Sequence, residues 1–291
     1  MTTRPIILAH GIYGKSFLHA GVANYLPGLD DLLPYRRHCF RGLRGYLRDQ
    51  GFRAHHVYLG FGESVEVRSR ELKDQVLAVL ELEGAEKVHI LAHSMGGLDA
   101  RHMVVDLGMS QCVASITTIG TPHLGTGLAD FVTGGPGNRR GALLGSCSFL
   151  RGFADLTKTA CAGFNARAEA LEAANTVRYS TVTCQTKPCL AHCSLRITGS
   201  ILAQLEGPND GLVSVTSQAW TTQLRAPDGT SKPVDQFQFP MDGDHINERG
   251  WWNTSRSNGP RSLAQFSREK RTFEAKVRAA YLEMAERMRD E

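Results

Sequence analysis

The stretch Lys87-Val88-His89-Ile90-Leu91-Ala92-His93-Ser94-Met95-Gly96-Gly97-Leu98 decides the fold. Lys87 to Ala92 is an apolar run of strand length. From Leu98 through Met103 and Val104 the apolar residues recur at helical spacing until Gly108 stops them. Between the two lies Ala92-His93-Ser94-Met95-Gly96, a small-x-Ser-x-Gly pentapeptide in the strand-to-helix context of a nucleophile elbow. Such a turn forces strained dihedrals on the serine, so the positions two before and two after it must be small, and Ala92 and Gly96 meet that need. A serine that opens a helix can also serve only as its N-cap, and the pentapeptide alone leaves that reading open.

The same order repeats outward from this point. Pro5-Ile6-Ile7-Leu8-Ala9, 54–59 and 113–119 read as buried strands. Between the first two, 35–51 carries Phe40, Leu43 and Leu47 at helical spacing and ends at Gly51. Then 64–82 carries the stripe Leu72, Val76, Val79 and Leu80, closed by Gly84. Alternating strands and helices predict a mostly parallel central sheet with helices on both faces, and ligands at the carboxyl ends of the strands. The regularity breaks over 125–175, where Gly134-Gly135-Pro136-Gly137 mixes with Phe131, Leu143, Leu144, Phe149, Leu150 and Phe153, which predicts a lid or cap insertion over the sheet. Two later strands, 180–184 and 236–239, precede a long terminal helix carrying Leu263, Phe266, Phe273, Val277, Tyr281, Met284 and Met288. With no Pro/Ser/Gly-rich spacer, 1–291 is expected to be a single domain.

Composition narrows the function classes. The chain has 291 residues, 42% hydrophobic and 21% charged, which excludes a disordered or collagen-like protein. Its net charge of +4, from 33 Lys+Arg against 29 Asp+Glu, is spread rather than gathered into a stripe, so no nucleic-acid partner is expected. No apolar run is long enough for a transmembrane segment, and Ile6 to Ala9 is too short for a signal-peptide core. A cytoplasmic protein or the mature form of a secreted one is therefore expected. Seven cysteines leave at least one unpaired within the chain. Cys184, Cys189 and Cys193 lie close enough for a metal or disulfide knot, but their spacing matches no CxxC pair, so reduced thiols are expected.

A serine nucleophile needs a base, and the base needs a carboxylate to orient it. For an elbow of this type the chain order is serine, acid, histidine. His245 is the one histidine in the last quarter and follows a predicted strand; His102 and His123 leave no room for an acid in that order and read as structural. The favoured acid is Asp210, in Gly207-Pro208-Asn209-Asp210-Gly211, although Asn-Asp-Gly can also be merely a tight turn. Among its rivals, Asp242 and Asp244 are too near His245 in sequence to reach its far ring nitrogen, Asp228-Gly229 reads as an exposed hairpin turn, and Asp235 remains open. The developing oxyanion needs backbone donors. These are expected from Met95, after the nucleophile, and from Ile12 in His10-Gly11-Ile12-Tyr13-Gly14, unless His10-Gly11 is only a structural turn.

Together these segments resemble the bacterial true lipases of the Pseudomonas and Burkholderia type, within the α/β-hydrolase superfamily. The resemblance runs over most of the chain, from Pro5–Gly11 and Ser64-Val65-Glu66-Val67-Arg68 through the elbow, Pro122-His123-Leu124-Gly125-Thr126, Ala129-Asp130-Phe131 and Phe164-Asn165. It continues to Asn209-Asp210-Gly211-Leu212-Val213 and Asp244-His245-Ile246-Asn247-Glu248. It implies an α/β-hydrolase fold with a lid and hydrolysis of lipid carboxylic esters by Ser94, Asp210 and His245. It also implies oxyanion donors Ile12 and Met95, with Arg68 bracing the oxyanion loop, and transient contact with a lipid interface. In that family a calcium ion is held by an aspartate two residues after the catalytic histidine. Here that residue is Asn247, and 184–203 offers no partner aspartate, so no metal cofactor is expected. An esterase for short soluble acyl groups, and a non-catalytic binding module on the same fold, are the competing readings.

Overall fold

The computed structural model describes residues 4–12, 39–134, 151–252 and 262–289. Seven strands form one sheet in the order β2-β1-β3-β4-β5-β7-β6. They are β1 (Ile6–Ala9), β2 (Ala54–His56), β3 (Val88–His93), β4 (Val113–Ile119), β5 (Arg178–Thr183), β6 (Gln223–Arg225) and β7 (Ser231–Gln238). Every neighbouring pair is parallel except β6 and β7, which are antiparallel.

Alternation along the strands sends side chains to two cores. Ile7, Ala9, Ile90, Ala92 and Ile116 face one side, where they meet α2 (Val65–Glu83) and α3 (Met95–Asp106). Ile6, Leu8, Leu91, Ile119 and Val182 face the other, packed under α1 (Leu43–Asp49) and the terminal helix α9 (Leu263–Arg287). Helices on both faces explain why β1, β3 and β4 are buried at every position rather than at alternate ones. The helix predicted from residue 35 begins at Leu43; residues 35–38 lie outside the described ones.

After β4 the chain forms α4 (Gly127–Thr133), α5 (Arg151–Asp155) and α6 (Lys158–Ala174). The predicted insertion over 125–175 shrinks here. In α6, Ala173 belongs to the main sheet core and Glu172 is fully buried against Arg101 of α3, so this helix flanks the sheet. The predicted lid residues Leu143, Leu144, Phe149 and Leu150 lie outside the described residues. Two helices of the later segment were not foreseen: α7 (Arg196–Leu205) and α8 (Val215–Ala219). The edge strand β6, three residues long, also escaped the sequence reading, and β7 begins five residues before its predicted start because its outer half faces only that edge. No described helix is long and apolar enough to cross a membrane.

Candidate active site

The chain turns outward from β1 to β2 and then crosses to β3 on the other side of β1, so the carboxyl ends of β1 and β3 meet at the reversal of strand order, where this architecture opens a crevice. Ser94 stands there. Its backbone is at φ 57° and ψ −133°, one of only two positive-φ non-glycine residues among the described ones. Holding a serine in this region costs on the order of 1–3 kcal/mol, which the surroundings must over-determine. They do so: Ser94 N–H donates to Ile119 O at 2.9 Å, and Thr121 Oγ1 donates to Ser94 O at 2.7 Å. Ser94 makes no side-chain capping bond to its helix, so its hydroxyl is left for other work.

Close approach of backbones explains the small residues. A Cβ on Gly96 would lie 2.7 Å from Ala9 O, and one on Gly11 would lie 2.6 Å from Ser94 Cβ, so β1, its loop and the elbow can meet only because both positions are glycine.

The three predicted side chains come together. Ser94 Oγ donates to His245 Nε2 at 2.8 Å, and His245 Nδ1 donates to Asp210 Oδ2 at 2.7 Å. Asp210 is fully buried. Leu212 N and Val213 N donate to its Oδ1, each at 2.8 Å, and Gln218 Nε2 donates to Oδ2 at 3.0 Å. The Asn-Asp-Gly turn is thus real and at the same time the seat of the carboxylate. Of the rivals, Asp228 sits in the β6–β7 hairpin turn, and Asp244 is turned into its own loop, accepting from Ile246 N and Asn247 N.

His10, Gly11 and Ile12 follow β1 beside the elbow; Tyr13 and Gly14 lie outside the described residues. Arg68, wholly buried, reaches this loop from α2. Its Nη2 donates to His10 O at 2.8 Å and to Gly11 O at 3.3 Å, while Nη1 donates to Gly60 O at 2.8 Å. Asp99 of α3 holds the guanidinium at 2.7 and 2.9 Å; burial pushes this carboxyl up to about 6 against the pull of Arg68. His10 donates from Nδ1 to Gly11 O and accepts Leu59 N–H at Nε2, and burial beside Arg68 brings it down to about 3, so it stays neutral and its tautomer is fixed. The Ile12 and Met95 side chains pack together with Val65, Leu98 and Leu156. Met95 is the first residue of α3, where the N–H groups of a helix have no partner inside it.

Comparison with known proteins fits this geometry. The PGAP1-like alpha/beta domain family matches residues 61–131, which include the elbow. Triacylglycerol lipases of Pseudarthrobacter phenanthrenivorans and Burkholderia plantarii are each 38% identical over 132 residues, 45% of this chain. The match spans only about a third of each of those relatives, 37% and 33%. Triacylglycerol lipase 2 of Saccharomyces cerevisiae is 31% identical over 186 residues, 61% of this chain and 54% of its own length. Among solved structures, a Bacillus licheniformis lipase in mature form superposes with a TM-score of 0.56 at 18% identity over 84% of this chain and 86% of its own. A metagenomic carboxyl esterase gives 0.59 at 17% identity over 98% and 76%. The chain has the α/β-hydrolase fold and is similar to bacterial triacylglycerol lipases.

In this α/β-hydrolase fold the sequence reading missed two buried acids. Asp99, the counter-ion of Arg68, looked like an ordinary helix residue. Glu248 is fully buried, with Oε2 at 2.9 Å from His93 Nε2 and 3.6 Å from His245 Nδ1. Burial and the neighbouring Asp210 and Asp244 carboxyls hold Glu248 well above the usual carboxylate range. Its position three residues after His245 was the available signal. His102 and His123 lie elsewhere: His102 stacks on Phe164 at 3.7 Å and pairs with Asp106, while His123 bonds Thr118 Oγ1 and stacks on Trp220. Both are pushed down by burial. The described cysteines form no disulfide with one another, and Cys147 lies outside the described residues. Cys184 is buried while Cys189 and Cys193 are exposed, and the three do not converge as a ligand set.

Proposed function

We propose that this chain hydrolyses carboxylic esters of lipids through an acyl-enzyme on Ser94. The observation that carries the reading is the continuous relay from Ser94 Oγ through His245 to Asp210, at 2.8 and 2.7 Å, with the serine held at a strained turn. Ser94 Oγ attacks the ester carbonyl while His245 Nε2 takes its proton, and Asp210 steadies the imidazolium. The Ile12 and Met95 N–H groups receive the oxyanion. His245 returns the proton to the departing alcohol, and a water activated by the same ring releases the fatty acid.

A lipid rather than a short soluble ester is favoured by the surface of α7. Ile197, Ile201 and Leu205 follow one another at i, i+4 and i+8 and are 75%, 42% and 67% exposed, on the helix that precedes the Asp210 loop. Such a stripe beside the site fits transient contact with a lipid–water interface. Reaction of Ser94 with a fluorophosphonate, and loss of nitrophenyl-ester hydrolysis on the order of 10⁶-fold in Ser94→Ala, are the expected results. Retained hydrolysis in that variant sinks the mechanism. Rates that rise with acyl length and jump beyond the solubility limit of the ester separate a lipase from a short-chain esterase, which would show neither.

A further inference from the structure

The family resemblance places a calcium ion beside the catalytic histidine loop, and the residues present there do not fit one. Asn247 and Asp244 are both fully buried. Asn247 Oδ1 accepts from Asp244 N at 3.1 Å, and Nδ2 donates to Trp251 O at 2.8 Å. A backbone N–H can only donate and a carbonyl can only accept, so these two partners fix the orientation of the carboxamide. Its NH₂ group occupies the place beside Trp251 O that a cation would need, and a protonated nitrogen cannot ligate a metal. Asp244 is similarly engaged: Oδ1 takes Ile246 N and Asn247 N at 3.0 and 2.9 Å, and Oδ2 takes His192 N at 2.8 Å. Among the described residues, the one His/Glu group whose ligand atoms converge is His93, His245 and Glu248, and there the His245 ring is already committed to Ser94 and Asp210.

From this we infer that Asn247 is a positioning residue that replaces the ion, closing the loop that carries His245 across residues 244–251 without metal. Bonds not made by the carboxamide complete the closure and join the loop to its surroundings. Gly250 N donates to Asn247 O, closing the loop on itself; His192 N donates to Asp244 across to the segment before α7; and His245 N donates to Asp210 O at 2.9 Å, so the base and its acid are also joined through the backbone. With Asn247 between Asp244 and Trp251, the chain on either side of His245 is fixed, and the ring is left with little freedom between Ser94 and Asp210. A displacement of about 1 Å here is enough to cost on the order of a hundredfold in rate.

The inference rests on the proposed hydrolytic reading for its kinetic consequence but not for its structural one, and the test separates the two. The unmodified chain is dialysed against EDTA and then given CaCl₂, with thermal midpoint, rate of fluorophosphonate labelling at Ser94, and kcat and KM for a soluble nitrophenyl ester followed at each stage. All four are expected to stay constant. A fall in the midpoint with EDTA that CaCl₂ restores overturns the inference, whatever the activity does. Asn247→Asp removes the donor to Trp251 O and sets a second carboxylate near Asp244. In EDTA this variant is expected to lose tenfold to a hundredfold in kcat and in labelling rate with KM nearly unchanged, and to recover part of both, together with its midpoint, on adding CaCl₂. An Asn247→Asp chain indistinguishable from its parent in EDTA shows that the carboxamide holds nothing and overturns the inference as well. Absence of labelling in the unmodified chain, by contrast, defeats the hydrolytic reading and leaves the EDTA result on the midpoint standing.

Discussion

Ser94 and its oxyanion loop sit on elements in direct contact, the ends of β1 and β3 and the start of α3, whereas Asp210 and His245 sit on loops after β5 and β7 that reach the same point from far along the chain. On the first side, glycines at 11 and 96 let backbones touch and a single buried ion pair, Arg68 with Asp99, ties α2 and α3 to the loop after β1. On the second side the contacts among the described residues are mostly hydrogen bonds around the His245–Asp210 pair. Position is held by backbone N–H donors to Asp210 and Asp244, by Gln218, by Asn247, and by the buried Glu248 against His93. The side that carries the nucleophile is fixed by steric fit and charge, and the side that carries the proton relay by many directional hydrogen bonds. The second arrangement sets the Asp210 carboxyl, braced by three donors, against the histidine whose protonation it must favour.

The comparison is broken most severely at Asp210. In Asp210→Asn the new amide faces a donor in either orientation, Leu212 N and Val213 N on one side or Gln218 Nε2 and His245 Nδ1 on the other. A fall of about 10⁴ in kcat with a smaller change in KM is expected from steady-state kinetics on a soluble ester. If the fall is less than tenfold, Glu248 or another acid carries the role. Arg68→Ala probes the other side. It strands Asp99 in the interior and frees the carbonyl of His10, so denaturant unfolding should show a loss of about 3–5 kcal/mol. A loss under about 1 kcal/mol would mean that the ion pair adds little to the nucleophile side.

The smallest effect is expected at Glu248. Its folded pKa lies above its unfolded value, so the folded state holds a proton that the unfolded chain releases. The contribution is fully present below the ordinary glutamate range and is lost as pH rises toward the folded value. Glu248→Gln keeps a neutral group of the same shape and cannot titrate, so its midpoint should decline less than that of the parent between pH 5 and pH 8. Parallel curves for the two proteins would show that Glu248 is charged in both states.

How much of this was legible in advance follows the same division. The elbow is a local pattern, since a strand, a small-x-Ser-x-Gly turn and a helix lie within one short window, and the strain at Ser94 is what demands the small residues there. The base was found by position, because His245 alone follows a late strand. Asp210 was found by elimination, and the donors that stabilise its charge could not be seen. Asp99 and Glu248 were invisible for a physical reason: an acid on a helix or loop reads as solvated until the fold buries it against a partner 31 or 155 positions away. The helix α6 falls inside the 125–175 stretch that the mixture of Gly-rich and apolar pieces marks as an insertion, and it is Ala173 in the sheet core and Arg101 pairing with Glu172 that show it lying on the sheet.

The sequence by itself determined the alternation of strands and helices, the strained serine, and the order of serine, acid and base, because each of these is written in periodicity or in residues a few positions apart. Tertiary structure decided which carboxyls are buried and pushed upward, which helix covers the sheet, and how the His245 loop is closed. Those outcomes depend on burial and on hydrogen-bond partners that a chain acquires only when distant segments are folded against one another.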